Sequence, residues 1–301
     1  MTQALDTPII DAHHHFWDPV AHYYPWLCDA DRQPHRYGDH TPIIKPYLPV
    51  DYRRDTSAFE LAGSVFMEAD WDPRDPIGEM RFIQQLREQS GLPSVAIGQA
   101  WLHQADAPQT LEQLAAFDFV RGIRQKPRAN RAPDDARPGG MVDSQWRRGY
   151  ALLAPHGLHY ELQTPWWHLH EAQQLARDFP GTTLVVNHAG MPPADRGAAG
   201  MAGWRQARVG VAQCPNVFVK ISGIGQAVGG WSIEAGRPVV LDTIDLFGMD
   251  RCMFASNYPV DSLCASFEDI FRGFAQIVAD FTPWERRKLF HENAQRIYRM
   301  A

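Results

Sequence analysis

The feature of this chain that most constrains its fold is a regular alternation of short apolar runs with longer amphipathic segments. Eight runs of β-branched or apolar residues recur along the chain, and each ends in polar residues. The runs are IIDAHH (9–14), AGSVFMEA (62–69), SVAIGQAW (94–101), FVRGIRQ (119–125), LHYELQ (158–163), TTLVVNH (182–188), NVFVKISG (216–223) and RCMFASN (251–257). Runs of this length and composition predict buried strands.

Segments with helical periodicity lie between these runs, for example residues 75–89, 110–117, 165–179 and 266–280. Alternating strands and helices favour parallel strands with crossover helices, and eight such units match a (β/α)8 TIM barrel. A doubly wound open sheet is the alternative. The barrel is favoured because no Gly-rich phosphate loop follows the first strand and polar residues cluster at the carboxyl ends of several strands. We therefore predict an α/β fold, a single (β/α)8 domain over residues 1–301.

The composition excludes several classes of partner. A hydrophobic share of 45% with 21% charged residues is that of a folded globular protein. The net charge of −6 offers no attraction to nucleic acid or to an anionic membrane, so a small molecule is the expected partner. Four cysteines without CxxC spacing predict reduced thiols. With no leader or membrane segment in the pattern, we expect a cytoplasmic protein.

One long segment, residues 16–48, interrupts the alternation after the first predicted strand. It is rich in aromatic residues and proline and has no clear period. A loop of this length on the carboxyl face of a barrel is typical of lids and binding loops, so Trp17, Tyr23, Tyr24 and Trp26 are candidates to close over a ligand. The alternative is that they cover the end of the barrel as apolar packing.

Three consecutive histidines end the first predicted strand. Because side chains alternate along a strand, His13 and His15 share one face and His14 lies on the other. At about 3.3 Å per residue the two outer histidines are about 7 Å apart at Cα, which allows both imidazoles to meet one metal ion. The pattern predicts half of a metal site at the barrel mouth.

A third histidine, His188, closes the sixth predicted strand and would lie at the same end of the barrel. Three histidines at strand ends favour a metal site or an acid–base site over simple packing. A second HxH pair, His168 and His170, lies in a helical segment. Residues i and i+2 of a helix project about 200° apart, so this pair is interpreted as helix surface.

Further polar side chains end or interrupt the other predicted strands. They are Glu68, Arg124, Gln163, Lys220 and Asn257. A cation inside a buried strand is costly unless it meets an anion, so Arg124 and Lys220 are candidate oxyanion or carboxylate binders. The alternative is a structural ion pair, with Glu68 or Asp261 as the acid.

The motifs together resemble a known group. DAHHHF at strand 1, EADWDPRDP after strand 2, VRGIRQ at strand 4, NHAG at strand 6, KISG at strand 7 and SNYPVD at strand 8 resemble the amidohydrolase-related family. Within that superfamily the similarity is to the lactonase-type branch, which includes L-fuconolactonase and 2-pyrone-4,6-dicarboxylate lactonase. The resemblance spans nearly the whole chain.

The resemblance implies a single-domain barrel that opens lactone rings with water. Some such relatives hold one divalent ion such as zinc and others work without metal, so both remain open. By match to the motifs, His13, His15 and His188 correspond to the metal-site histidines. The strand 8 position that carries an aspartate in better understood relatives is Asn257 here. Asparagine cannot accept a proton at neutral pH, so Asp261 or Glu68 would have to act as base.

We therefore expect a hydrolase that opens the lactone of a sugar acid or of an aromatic-degradation intermediate. Arg124, Lys220 or the metal would stabilise the oxyanion, and His188 would position the carbonyl or protonate the leaving alkoxide. Trp17, Arg124 and Gln163 are the predicted substrate-binding residues. The alternatives are a non-oxidative decarboxylase of the same superfamily and a silent lactone-binding barrel. The substrate and the oligomeric state, a homo-oligomer included, stay open.

Overall fold

Eight parallel strands form one sheet in the computed structural model, which describes residues 7–32 and 35–300. The strands are β1 Ile9–His14, β2 Leu61–Met67, β3 Val95–Gln99, β4 Val120–Arg124, β5 His159–Leu162, β6 Leu184–Val186, β7 Val217–Ile221 and β8 Cys252–Phe254. Each strand pairs with the next along the chain. All eight predicted strands are confirmed, although the strands at 182–188 and 251–257 are shorter, because the ends of both predicted runs turn into the site described below.

The sheet closes on itself between its last and first strands. The amide of Asn257 donates to the His13 carbonyl at 2.8 Å, and the amide of His15 donates to the Tyr258 carbonyl at 2.7 Å. Closure removes the sheet edges, and parallel order with helical crossovers makes this a (β/α)8 barrel. The predicted fold is confirmed, and the doubly wound open sheet is excluded.

The helices follow from amphipathic patterns with defined starts. They are α1 Pro25–Cys28, α2 Pro49–Asp55, α3 Gly78–Ser90, α4 Ala107–Ala115, α5 Ser144–Tyr150, α6 Leu169–Asp178, α7 Ala198–Ala212, α8 Ile233–Phe247, α9 Phe267–Ile277, α10 Pro283–Arg287 and α11 Asn293–Ile297. Asp143, Ser232, Ser266 and Thr282 each cap a helix by accepting a backbone N–H with the side chain. Throughout the described chain, no helix combines the length and apolar character needed to cross a membrane.

The amino-terminal half of the barrel interior is apolar. It is filled by Ile10, Ala12, Val65, Met67, Val95, Ile97, Val185, Met253 and Ala255, and by Ala294, Ile297 and Tyr298 at the carboxyl end of the chain. The residues from the end of the chain close the barrel from below. The polar side chains that line the pocket lie toward the carboxyl ends of the strands, where barrel enzymes carry their sites.

Strand β1 has a local irregularity against β2 between Asp11 and His14. Asp11 lies opposite Ser64 and His14 lies opposite Phe66, so three steps along β1 match two along β2. This β-bulge places both Ala12 and His13 on the inner side, while Asp11, which precedes it, faces outward. Asp11 there accepts hydrogen bonds from the Tyr52 hydroxyl at 2.9 Å and from the Ser256 amide at 2.8 Å, which cross-link β1 to α2 and to the chain after β8.

The loop after β1 folds over the carboxyl face of the barrel. Its two ends are joined because Trp17 and Tyr47 exchange backbone hydrogen bonds of 3.1 and 2.9 Å. Trp17 itself is fully buried, and its indole N–H donates to the carbonyls of Ile43 and Lys45. The described part of this loop contains α1 and a 3-10 turn at Thr41–Ile43. It is a packed cap whose inner surface faces the barrel mouth.

Candidate active site

The three histidines of β1 divide between two environments. His13 and His15 face the barrel mouth with ring centres 5.1 Å apart. His14 lies on the helix side of the strand, stacked on Tyr52 at 4.4 Å and against Phe16 at 4.6 Å. Burial lowers the pKa of His14 to about 3, so it is a neutral packing residue. Strand alternation therefore places the outer pair correctly, even though the bulge lies just before it.

His188 reaches the same place from a strained turn after β6. His188, Ala189 and Met191 have φ angles of 53°, 52° and 53°, which side chains other than glycine rarely adopt. The indole N–H of Trp204 donates to the Ala189 carbonyl at 2.9 Å and holds the turn. The His188 ring centre then lies 4.8 Å from that of His13. A local conformation this costly is consistent with a functional position for His188.

The three mouth imidazoles are neutral and have ring nitrogens available. Burial lowers the pKa of His13, His15 and His188 well below the ordinary histidine value. His15 Nδ1 lies 2.8 Å from the Met67 carbonyl and must donate to it, which leaves Nε2 unprotonated. His188 Nδ1 contacts the Ser222 hydroxyl at 3.0 Å. Both ring nitrogens of His13 are buried without a hydrogen-bond partner in the described chain.

This donor set fits a divalent cation in kind. Neutral imidazole is the form that binds metal. His14 also has two buried ring nitrogens without a partner in the described chain, so it is the position of His13 between His15 and His188 that favours a cation there. The positions of the side chains fit a cation less well than their chemistry does. Among the residues described, no three His, Cys, Asp or Glu side chains are arranged to hold one ion, so the predicted set of His13, His15 and His188 does not form a three-ligand site as it stands. That set stays a prediction.

Arg124, at the end of β4, forms a buried ion pair with Glu68. Its Nε donates to Glu68 Oε1, its Nη2 donates to the Glu68 carbonyl at 2.5 Å, and its Nη1 donates to Gln163 Oε1 at 3.1 Å. Glu68 is 1% exposed and also accepts the amide of Asp70 at 2.8 Å. Glu68 therefore holds Arg124 and does not line the pocket, which favours the predicted alternative of a structural ion pair over a role as base. Arg124 does line the pocket.

The structure does not place Lys220 at the pocket, where it was predicted to bind an oxyanion or a carboxylate. It is fully buried below the histidines, and its Nζ lies 3.0 Å from Glu161 Oε2 in an ion pair poorly aligned for a hydrogen bond. Glu161 also accepts from Asn187 Nδ2 at 2.5 Å and from the Tyr298 hydroxyl at 2.6 Å. Burial lowers the pKa of Lys220 to about 8, and Glu161 opposes the shift. Pairing with Glu161 removes Lys220 from the pocket.

Asn257, which also has a positive φ of 58°, lines the pocket at the end of β8. Its Nδ2 donates to Asp261 Oδ1 at 2.6 Å. Because a carboxylate accepts only, this bond fixes the amide with its NH2 toward Asp261 and leaves the carbonyl oxygen as the other polar atom. Asp261 Oδ1 also accepts from the Tyr37 hydroxyl at 3.1 Å. Asp261 is 1% exposed and held in place, so it does not reach the pocket as the predicted base.

The pocket over these residues has a volume of about 540 Å³. Ten of its lining residues follow the strands. They are His15, Ala69, Asp70, Arg124, Lys126, Gln163, His188, Met191, Asn257 and Val260. A volume of this size holds a small organic molecule, and mixed polar and apolar walls are typical of such sites. The structure therefore brings five predicted site residues together at the mouth of the barrel. They are His15, His188, Arg124, Gln163 and Asn257.

The other wall comes from the loop after β1. It contributes Pro25, Trp26, Asp29, Asp31, Arg32, His35, Arg36 and His40. Trp26 is fixed because its indole N–H donates to the Ala69 carbonyl at 2.7 Å. Trp17 does not line the pocket, because its indole is buried and donates to loop carbonyls. The structure therefore does not place Trp17 where it was predicted to contact the substrate. Tyr24 is likewise buried, and Tyr23 is partly exposed.

Several site residues were not predicted from the sequence. Glu161 precedes the chosen Gln163 by two residues in HYELQ, so strand alternation alone places both on the inner face. Arg36 lies in an aperiodic segment that carries no comparable signal. His168, interpreted as helix surface, is 3% exposed instead, and its Nε2 accepts the Asn130 amide at 2.9 Å. His170 is exposed as expected.

Comparisons with known proteins agree with this architecture. The protein-family model described as Amidohydrolase matches residues 10–300. The protein y4mH of Sinorhizobium fredii is 39% identical over 300 residues, which is 98% of this chain and 99% of that protein. The L-fucono-1,5-lactonase of Burkholderia multivorans is 26% identical over 271 residues, covering 87% of this chain and 85% of the lactonase.

A solved structure extends the comparison to three dimensions. An amidohydrolase of Burkholderia multivorans, crystallised with bound zinc, superimposes with a TM-score of 0.81 at 24% identity. The match covers 98% of this chain and 100% of that one. At this identity the likeness establishes the shared barrel, and the zinc belongs to the other protein.

Proposed function

Because the chain belongs to the amidohydrolase family, we propose that it is a hydrolase that opens a lactone, the cyclic ester of a small acid, with water. The observation that carries the proposal is the position of the buried His13 ring between His15 and His188, under a pocket of about 540 Å³. The lactonase relatives at 26% identity support the ester class of substrate. A sugar-acid lactone is small enough for such a pocket.

A divalent cation, zinc first among the candidates, would be held by His13 and His15. When bound, such a cation polarises a carbonyl and lowers the pKa of water. His188 would complete the ligand set or stay free for proton transfer, and we assign it to proton transfer. It lines the pocket, it is neutral, and its Nε2 has no hydrogen-bond partner in the described chain.

Arg124, Asn257 and Asp261 would position the attacking water and stabilise the oxyanion. A guanidinium has five N–H donors, and Arg124 uses three of them on Glu68 and Gln163, so further N–H groups can meet the oxyanion. The Asn257 amide, oriented by Asp261, offers an acceptor for the attacking water. Asp261 is thus a positioning residue. Trp26 and the loop wall exclude bulk water from the carbonyl.

The reaction then balances without a further reagent. Water adds to the ring carbonyl carbon and transfers one proton to His188. The bond from that carbon to the ring oxygen breaks, and His188 returns the proton to the leaving alkoxide. The product acid loses its remaining proton to solvent.

The proposal is tested by purifying the protein, measuring its metal content and assaying it on a panel of sugar-acid lactones. Opening of a lactone that falls at least hundredfold in His13→Ala/His15→Ala supports the proposal. His14→Ala is the matched control, because its ring is on the helix side of β1. Unchanged turnover in the double variant would remove this pair from the mechanism. Release of carbon dioxide from an aromatic acid with no lactone opened would favour a decarboxylase, and tight binding without turnover a binding barrel.

A further inference from the structure

Four cationic side chains line the pocket, and three of them are already neutralised or tied. Arg124 pairs with Glu68, and Lys126 pairs with Asp70. Arg32 donates to the carbonyls of its own loop, at 2.7 Å to Asp29. These contacts leave one cation with neither a carboxylate nor a carbonyl as partner among the described residues.

That cation is Arg36. Its Nη1 is buried and has no hydrogen-bond partner within residues 7–32 and 35–300. No carboxylate among those residues lies within ion-pair distance of it. Its guanidinium carbon lies 5.1 Å from the centre of the Tyr37 ring, which supports one face of the group. The Tyr37 hydroxyl is turned away to Asp261, so it does not accept from Arg36.

Arg36 stands close to the reacting centre. Among the surrounding charges, its guanidinium is the largest contributor to the lowered pKa of His188. It also counteracts the rise in the pKa of Asp261 that burial causes, and Asp261 is hydrogen-bonded to Asn257. Arg36, His188 and Asn257 line the same pocket, and Tyr37, which lies against the Arg36 guanidinium, donates to the Asp261 carboxyl that holds Asn257. One small ligand can therefore contact Arg36 and the strand-end groups together.

A guanidinium that is partly desolvated and unpaired carries a cost that a bound anion would remove. Its planar fork matches a carboxylate, which can accept two parallel N–H bonds. We propose that Arg36 anchors a carboxylate of the substrate. Resting on the proposed function, this assigns the substrate to lactones that carry a free carboxylate besides the ring ester. The ester lies toward His188 and Asn257, and the carboxylate lies toward the loop wall.

The first experiment compares two related lactones. D-glucarolactone carries a free carboxylate, and D-gluconolactone has a hydroxymethyl group in its place. We expect the wild type to favour the first in kcat/KM, and Arg36→Gln to lower the ratio of the two kcat/KM values by roughly ten- to hundredfold. The loss should be in KM, with kcat changed little. Arg36→Lys should restore part of the ratio, because it keeps the charge and loses the fork.

The matched control is Arg74→Gln. Arg74 is an exposed arginine paired with Asp72, outside the pocket, so it should leave the substrate ratio as it is. An equal preference for the two lactones in the wild type, or an equal ratio in the wild type and Arg36→Gln, would overturn the anchor.

A second experiment separates the anchor from the reaction. Thermal unfolding is followed with D-glucarate, a diacid, and with D-gluconate, its monoacid counterpart. The anchor predicts a larger rise in Tm with the diacid, which Arg36→Gln reduces to that of the monoacid. If no lactone is opened but this difference is seen, the proposed function fails and the anchor stands. If lactones are opened and the difference is not seen, the anchor fails alone.

Discussion

The strands and the loop after β1 differ in whether their buried cations are paired with acids. On the strands, Arg124 and Lys220 are buried against Glu68 and Glu161, so each cation is neutralised by the barrel itself. On the loop, Arg36 faces the pocket without an acid. The difference indicates a division of labour: strand charges hold the shape of the mouth, and the loop charge is available to a ligand. Barrel families vary chemistry through loops on a constant scaffold in this way.

The largest effect should follow from breaking a strand pair. Lys220→Met leaves Glu161 with Asn187 and Tyr298 but with no cation, in a fully buried position. Loss of one partner of a buried pair costs about 3–5 kcal/mol in the free energy of unfolding. Urea denaturation measures it, and Lys220→Met/Glu161→Gln should recover part of the loss. A single variant as stable as the wild type would show that the pair does not hold the barrel.

The next effect separates the two faces of β1. His13→Asn should lower lactone turnover on the order of hundredfold, because an unpartnered ring at the mouth is lost, with little change in stability. His14→Asn should do the reverse and cost about 1–3 kcal/mol, because its ring is packed on Tyr52 and Phe16. Steady-state kinetics and urea unfolding of both variants test this. Equal losses of activity in the two would contradict the division of the triplet.

A smaller effect is a pH dependence of stability carried by Asp261. Burial raises the pKa of its carboxyl from 3.8 to about 7. Between those values the folded protein holds a proton that the unfolded chain has released, so this contribution is fully present below pH 3.8 and is lost as the pH rises through about 7. Asp261→Asn should therefore gain on the order of 1 kcal/mol relative to the wild type between about pH 5 and about pH 8.

Urea unfolding at several pH values measures that gain. Asp11, whose pKa burial raises to about 6, is present in both proteins and cancels in the difference. A constant difference across the range would show that the Asp261 carboxyl is ionised throughout and that its neighbours Arg36, Tyr37 and Asn257 outweigh its burial.

The smallest effect contrasts two tryptophans of the loop. Trp17→Phe loses hydrogen bonds to two loop carbonyls in the core and should lower stability by about 1 kcal/mol with KM unaffected. Trp26→Phe, on the pocket wall, should raise KM severalfold at a smaller stability cost, because its indole orients that wall. The pair is compared by thermal unfolding and by KM. A rise in KM for Trp17→Phe instead would return that residue to the pocket.

The barrel could be predicted because its signal is periodic. Each of the eight strands is a short apolar run that ends in a polar residue, and this pattern needs no long-range information. The position of His13 and His15 follows from the same period. The choice of partner for each buried charge could not be predicted, because it depends on distances between strands. Lys220 thus appears as a pocket cation in the sequence and as the partner of Glu161 in the fold.

The loop after β1 was the least predictable part of the site. Trp17 and Trp26 are the same residue type in one aperiodic segment, yet one is in the core and the other is on the pocket wall. Their fates are decided by backbone contacts that have no period, such as the pairing of Trp17 with Tyr47. Arg36 was missed for the same reason. Specificity is therefore the property that sequence patterns describe worst here.

The bulge in β1 decides which of the three histidines face the barrel mouth. Below it the even-numbered residues Ile10 and Ala12 face inward, and above it the odd-numbered His13 and His15 do. The parity of the strand thus reverses within one step. An unbroken alternation continued from Ile10 and Ala12 would instead turn His14 inward and both of its neighbours outward, with the composition of the strand unchanged. The site therefore depends on this irregularity of β1 as much as on the kinds of residues in it.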